Sequence, residues 1–425
     1  MAYNGVSEPR FYIDEIQYLQ SIGFDFKQYY LDNYRYEHAT TDYVQGLVGI
    51  NREQYMYLPN IFQLTPHNQT NLNIRYEQDP YTGSVVTEKF LDIPAIFSNI
   101  EGDNIGRYVG ILNHRLNYEY TYNGLSGHSG NDTEINNLGI AFKWLHPYYD
   151  TQVEQESMTS DARLGAKGVL NYDESGLFPI NNDGSSIAIF EPSAENFNPE
   201  KRAFHRVCLY KDWRDPDVQA GESTWEEFGF GALSLGIYYD LRSPDLDIEM
   251  TTEFDGFSST RTLGGSTLTN VRYSGAPYWY DILGNKREPF QIGGSNPLSK
   301  RNGRRIWNLK FSYLADTDVF ASNYMSNKYY EHSSSDSVDS VYDDAGDLDD
   351  SVDAKNFRYT LEEDNSFMAQ VINRISNGQK FIFQPDKNNN NPDQFAICML
   401  DEDEFSIKQV AYRTYEFSLK IREVW

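Results

Sequence analysis

The sequence predicts a mainly β protein built as a β-sandwich or jelly roll. Segments of roughly four to eight residues rich in β-branched and aromatic side chains recur along the chain, separated by clusters of Gly, Asn, Asp and Pro. Aromatic residues make up 15% of the 425 residues, with 33 Tyr and 25 Phe, and such side chains favour strands. Helical periodicity is scarce. Short strands at regular spacing are typical of sandwiches and jelly rolls.

The first part of the chain carries clear strand segments and ends at a break near residue 245. The segments are YVGIL at 108–112, GIAFKW at 139–144, SIAIF at 186–190, ALSLGIYY at 232–239 and LDIEM at 246–250. At 241–245 the sequence LRSPD interrupts the pattern, and Pro244 forces an extended or turn geometry. We therefore predict a sandwich domain of residues 1–245 and a second β-rich domain of residues 246–425.

The second part begins with a hairpin and a long strand. The stretch FSSTRTLGGSTLTNVRYSG predicts a hairpin that turns at Gly264 and Gly265. Arg304 and Arg305 then lead into the strand IWNLKFSYL. The strand is predicted to present one apolar face, because its large side chains alternate with polar ones. That face consists of Trp307, Leu309, Phe311 and Tyr313.

An acidic insertion and one helix follow. Residues 331–355, EHSSSDSVDSVYDDAGDLDDSVDAK, hold nine acidic residues and one Lys, so they are predicted to form a solvated insertion; a cation site is the alternative. The stretch DNSFMAQVINRISNG predicts a helix capped by Asp364 or Asn365 and ended by Gly378. The apolar side chains at helical spacing predict a packing stripe and no cofactor site. They are Met368, Val371, Ile372 and Ile375.

The stretch YEFSLKIREVW predicts a half-buried strand. Its apolar residues fall on alternate positions with polar residues between them. The apolar residues are Tyr415, Phe417, Leu419 and Ile421. Trp425 lies beyond the alternation, and two interpretations stay open for it: a core plug or an interface anchor.

Charge and composition argue against several partners. With 36 Lys and Arg against 63 Asp and Glu, the formal net charge is −27, which repels nucleic acid and anionic lipid. Residues 1–20 lack a basic segment followed by an apolar one, and no long apolar run occurs, so we expect synthesis in a cytoplasm and no membrane insertion. Cys208 and Cys398 are predicted to be buried hydrophobic residues without a disulfide.

No motif for catalysis, a cofactor or a metal stands out. The histidines show no ligand spacing; they are His38, His67, His114, His128, His146, His205 and His332. In GLSGHSG, at 124–130, His128 occupies a position where a nucleophile elbow requires Gly. Paired carboxylates of a glycosidase are brought together by the fold, so Asp240, Asp245 and Glu253 are candidates among many. We predict no enzyme activity, no cofactor and no metal site.

The C-terminal sequence resembles the virion structural proteins of marine tailed phages, and in particular distal tail and minor tail proteins. In that family a strand leads to a short helix, then to a strand that closes on an F-x-P turn, and finally to a strand ending in I-R-E-V. Here Phe383 to Asp386 and Ile421 to Val424 stand at those places. The stretch RYVGILNHRL, at 107–116, resembles a core strand of discoidin-like jelly rolls. The resemblance covers residues 225–425 well and residues 100–240 in part.

The resemblance implies a structural component of a phage tail, at the tail tip or baseplate or in an adaptor ring. Family members form rings, often hexameric, so the implied partners are further copies of this chain and other tail proteins, and the implied location is the virion after synthesis in the host cytoplasm. Arg304, Arg305 and Trp425 are the predicted assembly interface. The alternative is a carbohydrate-binding adhesin of the tail that recognises a host surface glycan, since aromatic side chains stack on sugars.

Overall fold

The structure is a computed structural model. It describes residues 5–26, 58–76, 88–94, 104–114, 119–121, 134–136, 138–145, 166–170, 184–190, 204–211, 224–246, 248–254, 257–271, 276–281, 283–291, 303–319, 366–376, 378–402 and 404–425. The acidic insertion at 331–355, the glycine-rich stretch at 124–130 and the predicted caps Asp364 and Asn365 lie outside these residues.

Strands dominate the described residues. In chain order they are β1 Arg10–Asp14, β2 Thr70–Tyr76, β3 Glu88–Pro94, β4 Ile105–His114, β5 Glu119–Thr121, β6 Glu134–Asn136, β7 Leu138–Leu145, β8 Ala166–Leu170, β9 Gly184–Phe190, β10 Phe204–Lys211, β11 Thr224–Phe230, β12 Ala232–Asp240, β13 Glu249–Glu253, β14 Phe257–Arg261, β15 Thr267–Val271, β16 Trp279–Tyr280, β17 Lys286–Arg287, β18 Arg304–Ala315, β19 Phe381–Gln384, β20 Ala396–Leu400, β21 Ile407–Ala411 and β22 Thr414–Glu423. The mainly β class predicted from the sequence is confirmed, while the discoidin-like topology stays a prediction.

The helical segments are short. They are α1 Glu15–Ser21, α2 Leu58–Ile61, α3 Asp316–Val319 and α4, which is π-helical over Met368–Ile372 and continues over Asn373–Ile375; single 3₁₀ turns lie at Pro289–Gln291 and Pro392–Gln394. No helix among the residues described is long and apolar enough to cross a bilayer.

One large antiparallel sheet organises the molecule. It has eleven strands in the order β13-β18-β22-β20-β19-β1-β12-β4-β9-β8, with β21 also paired to β22. The sheet crosses the boundary predicted near residue 245, because β1 pairs with β12 on one side and with β19 on the other. Strands from both predicted domains therefore share one sheet. The smaller sheets are β3-β10-β7, β11-β2, β14-β15, β16-β17 and β5-β6.

Each face of the large sheet carries a hydrophobic core, because side chains alternate along every strand. On β1, Phe11 and Ile13 face the first core, which also receives helix α4 and most of β18 and β22. Tyr12 faces the second core, which contains Trp279 and Phe290 from the segments that cover that face. Strands β1 and β12 approach closely at Gly236, where a Cβ would lie 2.2 Å from the carbonyl oxygen of Ile13.

The half-buried strand predicted at the C-terminal end of the sequence is confirmed as β22. Tyr415, Phe417, Leu419 and Ile421 are all less than 5% exposed, and they pack in the first core. The predicted hairpin is confirmed too, since β14 pairs with β15 and the amide of Gly265 donates to the carbonyl of Thr262. Cys398 is buried in the first core, as predicted.

Two local predictions need correction. Tyr313 does not share the buried face of β18: it is 80% exposed, with a φ of 57°, and Leu314 is buried in its place. A β-bulge between Phe311 and Leu314 causes this change, because one extra residue reverses the faces that follow it. The predicted helix forms as a π-helical turn, and the hydroxyl of Ser366 accepts a hydrogen bond from the amide of Ala369 near its start.

Candidate functional site

The predicted interface residues Arg304 and Trp425 lie together although they are far apart in sequence. The guanidinium carbon of Arg304 lies 4.9 Å from the centroid of the Trp425 ring, within the range of a cation–π interaction. Both side chains are half-buried, so each keeps part of its surface in solvent. Trp425 is therefore neither wholly in the core nor wholly at the surface, and both interpretations made from the sequence stay predictions.

Arg305 faces inward from the next position of β18. Arg305 is 7% exposed, and its guanidinium contacts the Glu423 carboxylate with two nitrogen–oxygen distances of 3.3 Å. The same guanidinium donates to the backbone carbonyls of Asp393, at 2.7 Å, and Phe395, at 3.0 Å. Arg305 thus connects β18, β22 and the segment before β20. Little of the Arg305 side chain is therefore exposed in the single chain, and its place in an interface stays a prediction.

Trp425 also lines a small pocket. The pocket has an empty volume of about 370 Å³ including its open mouth, and its walls include Pro66, His67, Trp279 and Phe290. Burial and the nearby Lys380 ammonium lower the pKa of His67. Trp279 is 4% exposed and packs against Phe290, with ring centroids 5.1 Å apart. Trp279 therefore does not present a flat face on which a sugar ring could stack.

The most exposed part of the described structure is a β arm, which we define as β13 together with the hairpin β14–β15. Strand β13 ends the large sheet and pairs with β18 alone among the described residues. Along residues 258–270 every side chain is exposed except Thr262, which is half-buried. The arm and its flanks nevertheless carry large apolar side chains that are more than half exposed: Leu246, Met250, Phe254, Leu263 and Leu268.

A second exposed strand lies elsewhere on the same sheet. Strand β21 pairs with β22, and no other strand pairs with it in the part of the chain that the structure describes. All its side chains except Ile407 are exposed. Val410 and, in the following turn, Tyr412 are 42% and 85% exposed. The segment DEDE at 401–404 precedes this strand, and Glu402 and Glu404 are exposed.

One serine–histidine pair occurs inside the fold. The Nε2 atom of His114 and the hydroxyl of Ser186 are 2.7 Å apart. Both residues are at most 1% exposed, and His114 Nδ1 has no hydrogen-bond partner among the residues that the structure describes. Burial lowers the pKa of His114 to about 3, and the neighbouring Arg287 guanidinium adds to this effect. A nucleophile needs access to its substrate and a base oriented by a third group, so this pair acts as a neutral hydrogen bond within the core.

The carboxylates considered for a glycosidase each contact a different partner in the structure. Asp240 forms an ion pair with Arg10, Glu253 forms one with Arg422, and Asp245 accepts a hydrogen bond from the Ser312 hydroxyl. Each carboxylate thus has a separate structural partner. Within the described residues, no group of three or more His, Cys, Asp or Glu side chains is arranged to hold a metal ion.

A carboxyl group is buried where β1 meets α1. Asp14 caps the helix, because its Oδ1 atom accepts hydrogen bonds from the amides of Ile16 and Gln17. Burial raises the pKa of the Asp14 carboxyl from 3.8 to about 7, against the lowering effect of its hydrogen bonds. Tyr108 and Ser234 lie on the same side of the sheet, with their hydroxyl oxygens 2.7 Å apart. The cap is therefore protonated at acidic pH.

We expect Asp14→Asn to flatten the pH dependence of stability. The unfolded chain loses this proton near pH 3.8 and the folded protein near pH 7, so the free energy of unfolding is highest below the first value and falls as pH rises through the second. The Asp14 carboxyl should contribute to the natural protein a decrease on the order of a few kcal/mol between these two values. Asn still caps a helix but does not ionise.

Urea denaturation at a series of pH values between about 4 and 8 measures this effect. The exposed Asp393 provides a control: Asp393→Asn should keep the slope of the natural protein. If the free energy of unfolding of Asp14→Asn varied with pH as it does in the natural protein, the raised pKa could not belong to Asp14.

Comparisons with protein-family models, curated proteins and solved structures found no match for this chain.

Sequence reasoning placed the hairpin correctly but missed the exposure of its apolar side chains. The available signal was composition: FSSTRTLGGSTLTNV has few large apolar residues, too few to supply a core on either face.

Proposed function

We propose that this protein is a structural component of a phage virion tail, located at the tail tip, in the baseplate or in an adaptor ring. It assembles through self-association and through contacts with other tail proteins. The observation that carries the proposal is the β arm, and the resemblance of the C-terminal sequence to distal and minor tail proteins supplies the biological setting.

The arm supports an assembly role for two physical reasons. A two-stranded hairpin exposed on both faces is at best marginally stable in water, so its strands gain from packing against a partner. Unpaired strand edges with exposed apolar side chains also invite pairing with another chain, and proteins generally cover such edges. Leu263 and Leu268 on the hairpin and Met250 on β13 are exposed in the single chain. A partner in an assembly would cover them.

The carbohydrate-binding alternative has less support. The pocket beside Trp425 is lined by aromatic rings, but Trp279 packs at a tilt against Phe290 and is almost wholly buried. A glycan array with the full chain distinguishes the two functions, since an assembly protein should bind no host polysaccharide there.

The test of the proposal is to measure self-association and to locate the protein in particles. Size-exclusion chromatography with light scattering should give a mass that increases with protein concentration towards a closed oligomer. Antibody labelling of intact virions, viewed by electron microscopy, should mark the tail. A protein that is monomeric at all concentrations and absent from purified particles would refute the proposal.

A further inference from the structure

The hairpin differs in charge from the rest of the chain. Arg261 is the only charged residue between Phe257 and Val271, so this segment has a formal charge of +1 in a protein whose net charge is −27. Arg261 and its neighbours along the hairpin are exposed. Two copies of a strongly acidic protein repel each other over most of their surfaces. The hairpin is a part of the described surface that can approach another copy without that repulsion.

Strand β21 offers a matching surface. It is an edge strand within the part of the chain that is described, and its exposed Val410 lies near the exposed Tyr412. The acidic segment at 401–404 comes just before it in the chain, with Glu402 and Glu404 exposed. This surface combines backbone groups able to pair, apolar side chains and, before the strand begins, the exposed carboxylates of Glu402 and Glu404. Lys408 on the strand itself is paired with Glu416. The hairpin has the first two of these features and the opposite charge.

We propose that the hairpin β14–β15 of one copy adds to the edge of β21 in a second copy, with Arg261 placed beside Glu402 and Glu404. The inference rests on the proposed self-association and names its two surfaces. Strand addition supplies hydrogen-bond partners to the backbone of both edges, and the apolar side chains beside them provide contact area. The charge pair selects the correct partner and orientation.

The two surfaces are different parts of the same chain, so the contact is heterologous. Each copy uses its hairpin on one neighbour and offers its β21 edge to the other. Contacts of this kind build closed rings when the rotation between copies closes and open filaments when it does not. The arrangement therefore builds a ring wherever the rotation closes, without requiring a second interface.

A charge exchange tests the inference on the full chain. Arg261→Glu places a negative charge against the acidic segment, and Glu402→Lys with Glu404→Lys places positive charges against Arg261. Each change should weaken self-association by at least about tenfold in dissociation constant, because like charges then face each other. The protein carrying all three changes should recover association, since the pair is restored with reversed signs. Sedimentation velocity over a concentration series measures the constants.

The control is Lys286→Glu, an equal charge reversal at another exposed position. It should leave association near that of the natural protein. The changed sites are exposed, so thermal melting should be unaltered in every variant. If the natural protein associates but the triple change fails to recover association, the hairpin contact is wrong and self-association stands. If the natural protein does not associate at all, both the contact and the proposed self-association are overturned.

Discussion

Removal of residues 417–425 is expected to abolish folding. Strand β22 lies inside the large sheet, where it pairs with β18 on one side and with β20 and β21 on the other. Phe417, Leu419 and Ile421 are at most 3% exposed and belong to the first core. The loss of one such side chain costs about 2–5 kcal/mol, while whole domains are stable by only about 5–15 kcal/mol. The combined cost of losing these three side chains and their strand exceeds the stability of a typical domain.

Circular dichroism and thermal melting of the truncated chain measure the effect, and we expect no cooperative transition. A control changes the opposite face of the same strand: Ser418→Ala, at an exposed position, should melt as the natural protein does. A soluble truncated protein with a cooperative transition would show that β22 is dispensable.

The alternation along β22 made this strand predictable from sequence, because a half-buried strand leaves a period of two residues. The same reasoning failed at Tyr313, since the bulge after Phe311 inserts a residue and changes which side chain faces the core. Period-two patterns carry no information on bulges. Local pattern is therefore a good guide to which segments form strands and a weaker one to which face a given residue occupies.

The partners of the strands could not be predicted from sequence. Strand β1 joins β12 to β19, and in it Tyr12 donates a hydrogen bond to the side-chain oxygen of Gln384, 372 residues away. A hydrophobic strand of five residues fits many neighbours equally well, and only the whole packing selects one. The break at residues 241–245 is visible as a change in composition, yet the sheet continues across it. For the same reason the contact between Arg304 and Trp425 appears only in the fold.

Arg305→Met is expected to lower the free energy of unfolding by about 3–5 kcal/mol, the cost of removing one partner from a buried ion pair. The change leaves the Glu423 carboxylate, 4% exposed, without its cation. It also removes the donors to the carbonyls of Asp393 and Phe395. Met has a similar length and keeps the apolar contacts of the arginine stem. A urea denaturation curve measures the effect as a lower midpoint with an unchanged slope.

An exposed ion pair provides the matched control for this variant. Lys408, whose side chain is 76% exposed, lies 3.2 Å from the Glu416 carboxylate. Lys408→Met should change stability by less than about 1 kcal/mol, because solvent screens exposed pairs. The double variant Arg305→Met with Glu423→Gln should recover part of the loss, since the unpaired charge is gone. Equal effects of Arg305→Met and Lys408→Met would contradict the burial of the Arg305 pair.

Measurements of stability by urea denaturation and of self-association by sedimentation velocity separate two roles within the predicted interface. If Arg305 serves only to hold β18, β22 and the segment before β20 together, Arg305→Met lowers the free energy of unfolding of the monomer, before any association. Arg304 is half-buried over the Trp425 ring, so Arg304→Ala removes one partly exposed cation and a cation–π contact worth about 0.5–1 kcal/mol. A variant with nearly natural stability but weaker association would add Arg304 and Trp425 to the contact that the hairpin and β21 make between copies. Loss of stability alone would indicate that Arg304 and Trp425, like Arg305, hold the C-terminal strand in the sheet.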